Sequence, residues 1–325
     1  MSLCIIKAGL LDTIQDGGRW GYQHLGINTN GAMDVYAAGL ANALLGKALS
    51  EAVIEMQFPA AQICFEQATI IAITGADFSP RINGVAIPLN HPVVVAKGSM
   101  LQFVKFLKGT RCYLSLLHSL QVESWLNSSS TNLKIAVGGF EGRRLQKEDV
   151  IPFINQYKVE HLLQNVAFAL LPWKANDALE KRNKLQVVYG SEWHLLTEEA
   201  QHQFQHSFFQ ITNDADRMGY RLQGPALEFK QHSSLLSSAV NFGTIQALPN
   251  GQLIILMADH QTTGGYPKVA HVITADLSLL AQKNTNNTIQ FEVTDGATAE
   301  EKLVAQQKNL RGLQIACKFR LEELL

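Results

Sequence analysis

The stretch QICFEQATIIAITGAD (62–77), followed by INGVAIP (82–88), HPVVVAKGSMLQFV (91–104) and TRCYLSLL (110–117), decides the fold class. These are short, largely apolar runs, with Gly, Pro, Asn or Asp supplying the breaks. Strands of that length, punctuated at regular intervals, point to a sandwich or barrel. One helix interrupts them. Asp34 is a candidate N-cap, Val35, Ala38, Ala41, Leu44 and Leu45 share an apolar face, and Gly46 can close the last turn.

Downstream, Pro152, Pro172 and the polar run NDALEKRNK (176–184) loosen the pattern before LQVVYG (185–190) restarts it. This predicts a mainly β protein with peripheral helices and two domains, 1–150 and 151–325, meeting between about 150 and 185. The second half is expected to hold a helix from Thr197, strands around LIILMAD (253–259) and KVAHVIT (268–274), a short helix capped by Thr274, strand IQFEV (289–293), and a C-terminal amphipathic helix from about Thr298.

The chain has 325 residues, 46% of them hydrophobic, enough for a large buried core. With 27 Lys plus Arg against 28 Asp plus Glu it carries no basic excess, which argues against a nucleic-acid partner. No apolar window approaches the roughly 20 residues that span a bilayer, and the N-terminus does not read as a secretory signal, so a cytoplasmic protein without a membrane partner is expected. Cys4, Cys64, Cys112 and Cys317 lack metal-ligand spacing and read as buried thiols. His202 and His206 lie four apart on a predicted helix, read as its solvated face, and no metal site is predicted. GLANALLGKA has six residues between its glycines where a phosphate-binding loop needs four, and no zincin, nucleophile-elbow or biotin-carrier sequence occurs.

Four regions concentrate glycine, hydroxyl and charged residues. They are DGGRWGYQHLG (16–26) with GAMD (31–34), TGAD (74–77), GGFEGR (138–143), and DRMGYRLQGP (216–225) with ADHQTTGGYPKVA (258–270). Adjacent glycines let backbone N–H groups approach an anion, and a nearby Arg or Lys can neutralise it. Each also has a plain structural reading. Gly17 and Gly18 can serve a turn, Glu141 and Arg143 can be a surface ion pair, and Trp20 and Tyr22 can be core. The last region stands out because Asp259, His260, Gln261, Thr262 and Thr263 follow an apolar strand and sit at its mouth.

Through these segments, in order and over nearly its whole length, the chain resembles the allophanate hydrolase subunit 2 family, also called the biotin-dependent carboxyltransferase family. The resemblance implies a pair of cyclophilin-like β-barrel domains. It also implies a hydrolase working in a complex, a 5-oxoprolinase that opens 5-oxoproline to glutamate with ATP and Mg2+, alongside cognate B and A subunits. The isolated chain is then expected to be inactive and to carry no covalent biotin. Two alternatives are a carboxyltransferase subunit of a urea carboxylase, and a regulatory module that antagonises a kinase inhibitor. The sequence departs from the family pattern at Asn30, Ser129 and His260.

On the same footing, Asp16, Asp259, Arg217 and Lys268 are assigned to catalysis. Arg19, His24, Asp34, Asp77, Arg143, His260, Gln261, Thr262, Thr263 and Tyr266 are assigned to binding a small amide. The 16–26, 31–34 and 74–77 segments are expected to form one cluster, and 216–221 with 259–267 another. As cleft residues, Arg217 and Asp259 are expected to add little to folding stability.

Overall fold

The computed structural model describes residues 2–176, 182–231 and 235–325, so part of the NDALEKRNK run, residues 177–181, lies outside the described residues. Two compact units emerge, neither continuous in sequence. The first comprises 1–19, 34–179 and 307–325; the second comprises 20–33 and 180–306. The division therefore differs from a cut at residue 150. The chain beyond that point still belongs to the first unit because its strands complete that unit's sheets.

The first unit contains twelve strands among the described residues: β1 (Ser2–Lys7), β2 (Thr13–Gln15), β3 (Val53–Met56), β4 (Gln62–Phe65), β5 (Thr69–Asp77), β6 (Pro80–Ile82), β7 (Val85–Ala86), β8 (Val93–Val95), β9 (Met100–Phe103), β10 (Lys108–Leu116), β11 (Val150–Pro152) and β12 (Phe168–Leu170). They form two six-stranded sheets, ordered β11-β1-β4-β9-β6-β7 and β12-β8-β5-β10-β3-β2. Side-chain alternation explains how the sheets pack. Ile71 and Ile73 of β5, Val93 and Val95 of β8 and Leu114 and Leu116 of β10 share one core with Leu3, Ile63, Phe65 and Leu101 of the other sheet. Ile70, Ala72 and Val94 face the opposite way, into a second cluster with Leu44, Leu45 and Leu321. The near-continuous apolar run at 70–73 is thus a strand covered on both faces.

Helix α1 (Val35–Leu44) is capped as the sequence predicts: the Asp34 carboxylate accepts the Ala37 N–H at 2.9 Å. It is not one-faced, however, because residues 37–44 are all buried while Val35 is exposed. Cys112 and Cys317 are buried, but Cys4 and Cys64 are half-buried on facing positions of β1 and β4.

The second unit is a closed barrel of seven strands in the order β13-β20-β17-β18-β15-β14-β21. These are β13 (Lys184–Tyr189), β14 (Phe209–Ile211), β15 (Gly219–Gln223), β17 (Thr244–Ala247), β18 (Leu253–Leu256), β20 (Lys268–Val272) and β21 (Thr288–Val293), with β16 (Ser238–Ala239) and β19 (Thr263–Gly264) pairing beside it. Leu185, Val187, Phe209, Leu222, Ile245, Ile255 and Phe291 fill its interior. Helix α2 (Glu198–His206) is capped by Thr197 and packs Phe204 on Phe291, leaving His202 and His206 exposed and stacked on each other. Thr274 opens a 3-10 turn before α3 (Leu277–Ala281) and does not cap it. Helix α4 (Gly296–Glu322) begins two residues before the expected Thr298, because Asp295 accepts both the N–H and the hydroxyl of Thr298. Among the described residues no helix is long and apolar enough to cross a membrane.

Asp12 lies buried just before β2, its carboxylate accepting the N–H of Ala61 at 2.7 Å and of Gln57 at 3.3 Å. Burial outweighs both bonds and raises its pKa from 3.8 to about 7. A raised folded-state pKa contributes stability that is full below pH 3.8 and lost as pH rises through about 7. Thermal melts across pH 4 to 8 should show this decline, and Asp12→Asn should flatten it; an unchanged pH profile in the variant would refute the assignment.

Candidate functional site

The first glycine-rich loop proves to be an anchor. At the end of β2 the Asp16 carboxylate accepts the Gly18 N–H (2.8 Å), the Ser128 hydroxyl (2.8 Å), the Ser129 N–H (2.6 Å) and the Ser130 hydroxyl (2.5 Å). Arg19 is fully buried: its Nε donates to Trp125 O at 2.9 Å and its Nη2 to Ser130 O at 3.0 Å, with the guanidinium 4.7 Å from the Trp125 ring centre. Gly138 admits this arrangement, since a Cβ there would lie 2.4 Å from Ser130 O and 3.3 Å from Arg19 Nη2. Asp16 and Arg19, assigned above to catalysis and to binding, thus tie residues 16–19 to 125–130. The Ser129 contact to Asp16 is made by its backbone N–H and so does not depend on the side chain at this position.

Other first-unit candidates also make internal contacts. Arg143 pairs both Nη atoms with Asp149 (2.8 and 2.9 Å) and its Nε with Glu141 (3.0 Å), so the ion-pair reading holds. Asp77 accepts the Ser79 N–H at 2.8 Å in a turn. Asp34 and TGAD do meet, beneath the start of α1. There the Asp34 N–H donates to Tyr113 Oη, the Thr74 hydroxyl donates to Ala37 O, and Tyr113 lies opposite Thr74 across the β5–β10 pair. Asp34, Thr74 and Tyr113 are fully buried and form no surface for a ligand.

In the second unit the two expected segments converge. Arg217 Nε and Nη2 donate to the two carboxylate oxygens of Asp259 at 2.8 and 2.9 Å, the bidentate geometry that fixes orientation as well as charge. Arg217 Nη2 also donates to Gly31 O at 2.7 Å, and Asn30 Nδ2 to Asp259 Oδ1 at 2.8 Å. Asn30 holds φ 52°, a left-handed conformation that asparagine tolerates, so its side chain suits both the backbone and the carboxylate. His260 is buried, its Nδ1 2.5 Å from Gln261 O, and burial pushes its pKa below the ordinary histidine value. Lys268 donates to the Ser238 hydroxyl and lies 3.7 Å from Glu192. His24 is exposed in a 3-10 turn, and Trp20 is 67% exposed rather than core.

A cavity of about 490 Å3 lies on the outer face of β15, β18 and β17. Arg221, Ile254 and Gln246 line its floor, the Asp214–Asp216 turn and Pro249–Asn250 form its sides, and Gln261 and Tyr266 reach it from the 259–267 loop. A Cβ on Gly219 would come 2.7 Å from Ile254 Cδ1, so glycine lets the floor close down flat. Of the sequence-assigned residues, Gln261 and Tyr266 line this cavity, while Arg217 and Asp259 brace the segments around it. Thr262 and Thr263 precede Tyr266 at β19, with Thr263 exposed. Arg221, Gln246 and Asp214 were missed. Their signal was slight: a charge on the polar side of the alternating GYRLQ strand, and the glutamine ending GTIQ.

Because Arg217 is only 8% exposed and Asp259 17%, their pairing bears on folding, against the expectation for cleft residues. Arg217→Ala leaves a poorly solvated carboxylate without its charged partner, Asn30 remaining as a neutral donor, and should cost on the order of 3 kcal/mol. Denaturant unfolding measures this directly, and a loss below about 0.5 kcal/mol would reject the bracing role.

Residues 25–293 match the carboxyltransferase domain family, subdomains A and B. The chain is 37% identical over 281 residues to the 5-oxoprolinase C subunit of Haemophilus influenzae, covering 86% of this chain and 87% of that protein. It is 34% identical over 309 residues to the 5-oxoprolinase C subunit of Escherichia coli, covering 95% and 96%. The crystal structure of the K. lactis urea amidolyase superposes with TM-score 0.86 at 26% identity, covering 96% of this chain and 20% of that one. With its two β-rich units and this match across most of its length, the chain belongs to the carboxyltransferase domain family, subdomains A and B.

Proposed function

We propose that this chain is the C subunit of a cytoplasmic, ATP-dependent 5-oxoprolinase that opens the lactam of 5-oxoproline to glutamate together with A and B subunits. The observation that carries the reading is its near end-to-end likeness to two bacterial 5-oxoprolinase C subunits, against correspondence to one fifth of the urea amidolyase chain. An amide carbonyl resists water because of resonance, and coupling to ATP supplies the energy to overcome it. ATP and Mg2+ are assigned to the assembled complex.

Within this chain, Arg217 and Asp259 are positioning residues that hold the 259–267 loop, and Gln261 and Tyr266 are the assigned substrate contacts. The 0.86 superposition on urea amidolyase favours one second reading, a carboxyltransferase served by biotin on a partner protein.

Reconstitution separates the two. This chain alone should release no glutamate from 5-oxoproline and ATP, and adding cognate A and B subunits should give ATP-dependent release. Turnover by A and B without this chain, or carboxylation of urea by this chain with a biotin carrier, would overturn the proposal.

A further inference from the structure

The floor of the cavity follows from alternation on three neighbouring strands. In β15, Tyr220 and Leu222 enter the barrel and Arg221 points out; in β18, Leu253 and Ile255 enter and Ile254 points out; in β17, Ile245 and Ala247 enter and Gln246 points out. Register places Arg221 opposite Ile254 and Ile254 opposite Gln246. One row therefore reads guanidinium, alkyl, amide, over about 10 Å at the usual strand spacing.

The arginines of the chain described so far are unequally satisfied. Arg19, Arg143 and Arg217 are each engaged by several acceptors, whereas the Arg221 guanidinium has no hydrogen-bond or ion-pair partner among the described residues. Asp216, its nearest acidic neighbour in sequence, instead accepts the N–H groups of Met218 (2.8 Å) and Gly219 (3.0 Å) through Oδ1. Gln246 Nε2 donates to Tyr266 O at 3.2 Å, which leaves its Oε1 as an acceptor.

We propose that this pocket binds a small carboxylate-bearing amide, its carboxylate on Arg221 and its amide N–H on Gln246 Oε1, with Gln261 and Tyr266 closing over it. A planar guanidinium presents paired donors that match a carboxylate. Asp214 and Asp216 at the rim disfavour a dianion such as phosphate and suit a ligand that also offers an N–H. Choosing 5-oxoproline as that amide rests on the function proposed above, while the demand for a carboxylate stands on Arg221 itself.

The test is calorimetric titration of the full chain with 5-oxoproline, with pyrrolidin-2-one, which lacks the carboxylate, and with inorganic phosphate. The unmodified chain should bind 5-oxoproline saturably and at least tenfold more tightly than either control. Arg221→Gln should weaken 5-oxoproline by tenfold or more, as loss of a charge-assisted bond requires, and Arg221→Lys should recover part of it. Circular dichroism confirms that the variants fold. Equal binding by the unmodified and Arg221→Gln chains, phosphate binding as tight as 5-oxoproline, or no saturable binding by the unmodified chain would overturn the proposal. Assaying the reconstituted complex in parallel separates the two claims. Arg221-dependent binding without turnover refutes the 5-oxoprolinase reading alone, and turnover with a KM indifferent to Arg221→Gln refutes the pocket alone.

Discussion

A charge taken out of water must be met inside the protein, and this constraint shapes the loops of both units. Arg19 is fully buried and directs its donors to the Trp125 and Ser130 carbonyls, while Asp16 gathers hydroxyl and N–H donors from 128–130. Arg217 and Asp259 meet each other directly, with Gly31 O and Asn30 completing the set. Segments far apart in sequence are tied by these bonds because each buried group, left alone, would cost several kcal/mol.

The same constraint separates supporting charge from charge available to a ligand. A guanidinium that already donates to carboxylates and carbonyls has little left to offer a substrate, however suggestive its motif. Arg221 differs because it sits on a barrel strand, held by its neighbours' backbone bonds, with its head over a concave surface. Strand-mounted groups are positioned more rigidly than loop-mounted ones, which suits orienting a small molecule.

Glycine serves the same purpose at two places around these sites. Gly138 yields space to Ser130 O and Arg19, and Gly219 yields it to Ile254 at the cavity floor. In both places the missing side chain allows another group of the protein to approach closely, so glycine here marks tight packing.

Local chemistry was legible in the sequence. The apolar runs at 62–77 and 91–104 set the strands by their composition and breaks, Asp34 and Thr197 marked two helix starts, and the Glu141–Arg143 spacing announced an ion pair. These depend on residues within a few positions of one another, where propensity and short-range bonds dominate. Partnership across long separations was not legible. Arg19 and Arg217 look alike in a string of letters, yet one is packed against Trp125 and the other is locked to Asp259. That residues 20–33 belong with 180–306, and that Arg221, Ile254 and Gln246 fall in one row, depends on strand register, which is fixed by packing of the whole barrel. Residue patterns alone specify a β-rich chain with capped helices and charged glycine loops; the folded chain sets which charges are satisfied internally and which face a cavity, because desolvation acts on the folded surface rather than on the motif.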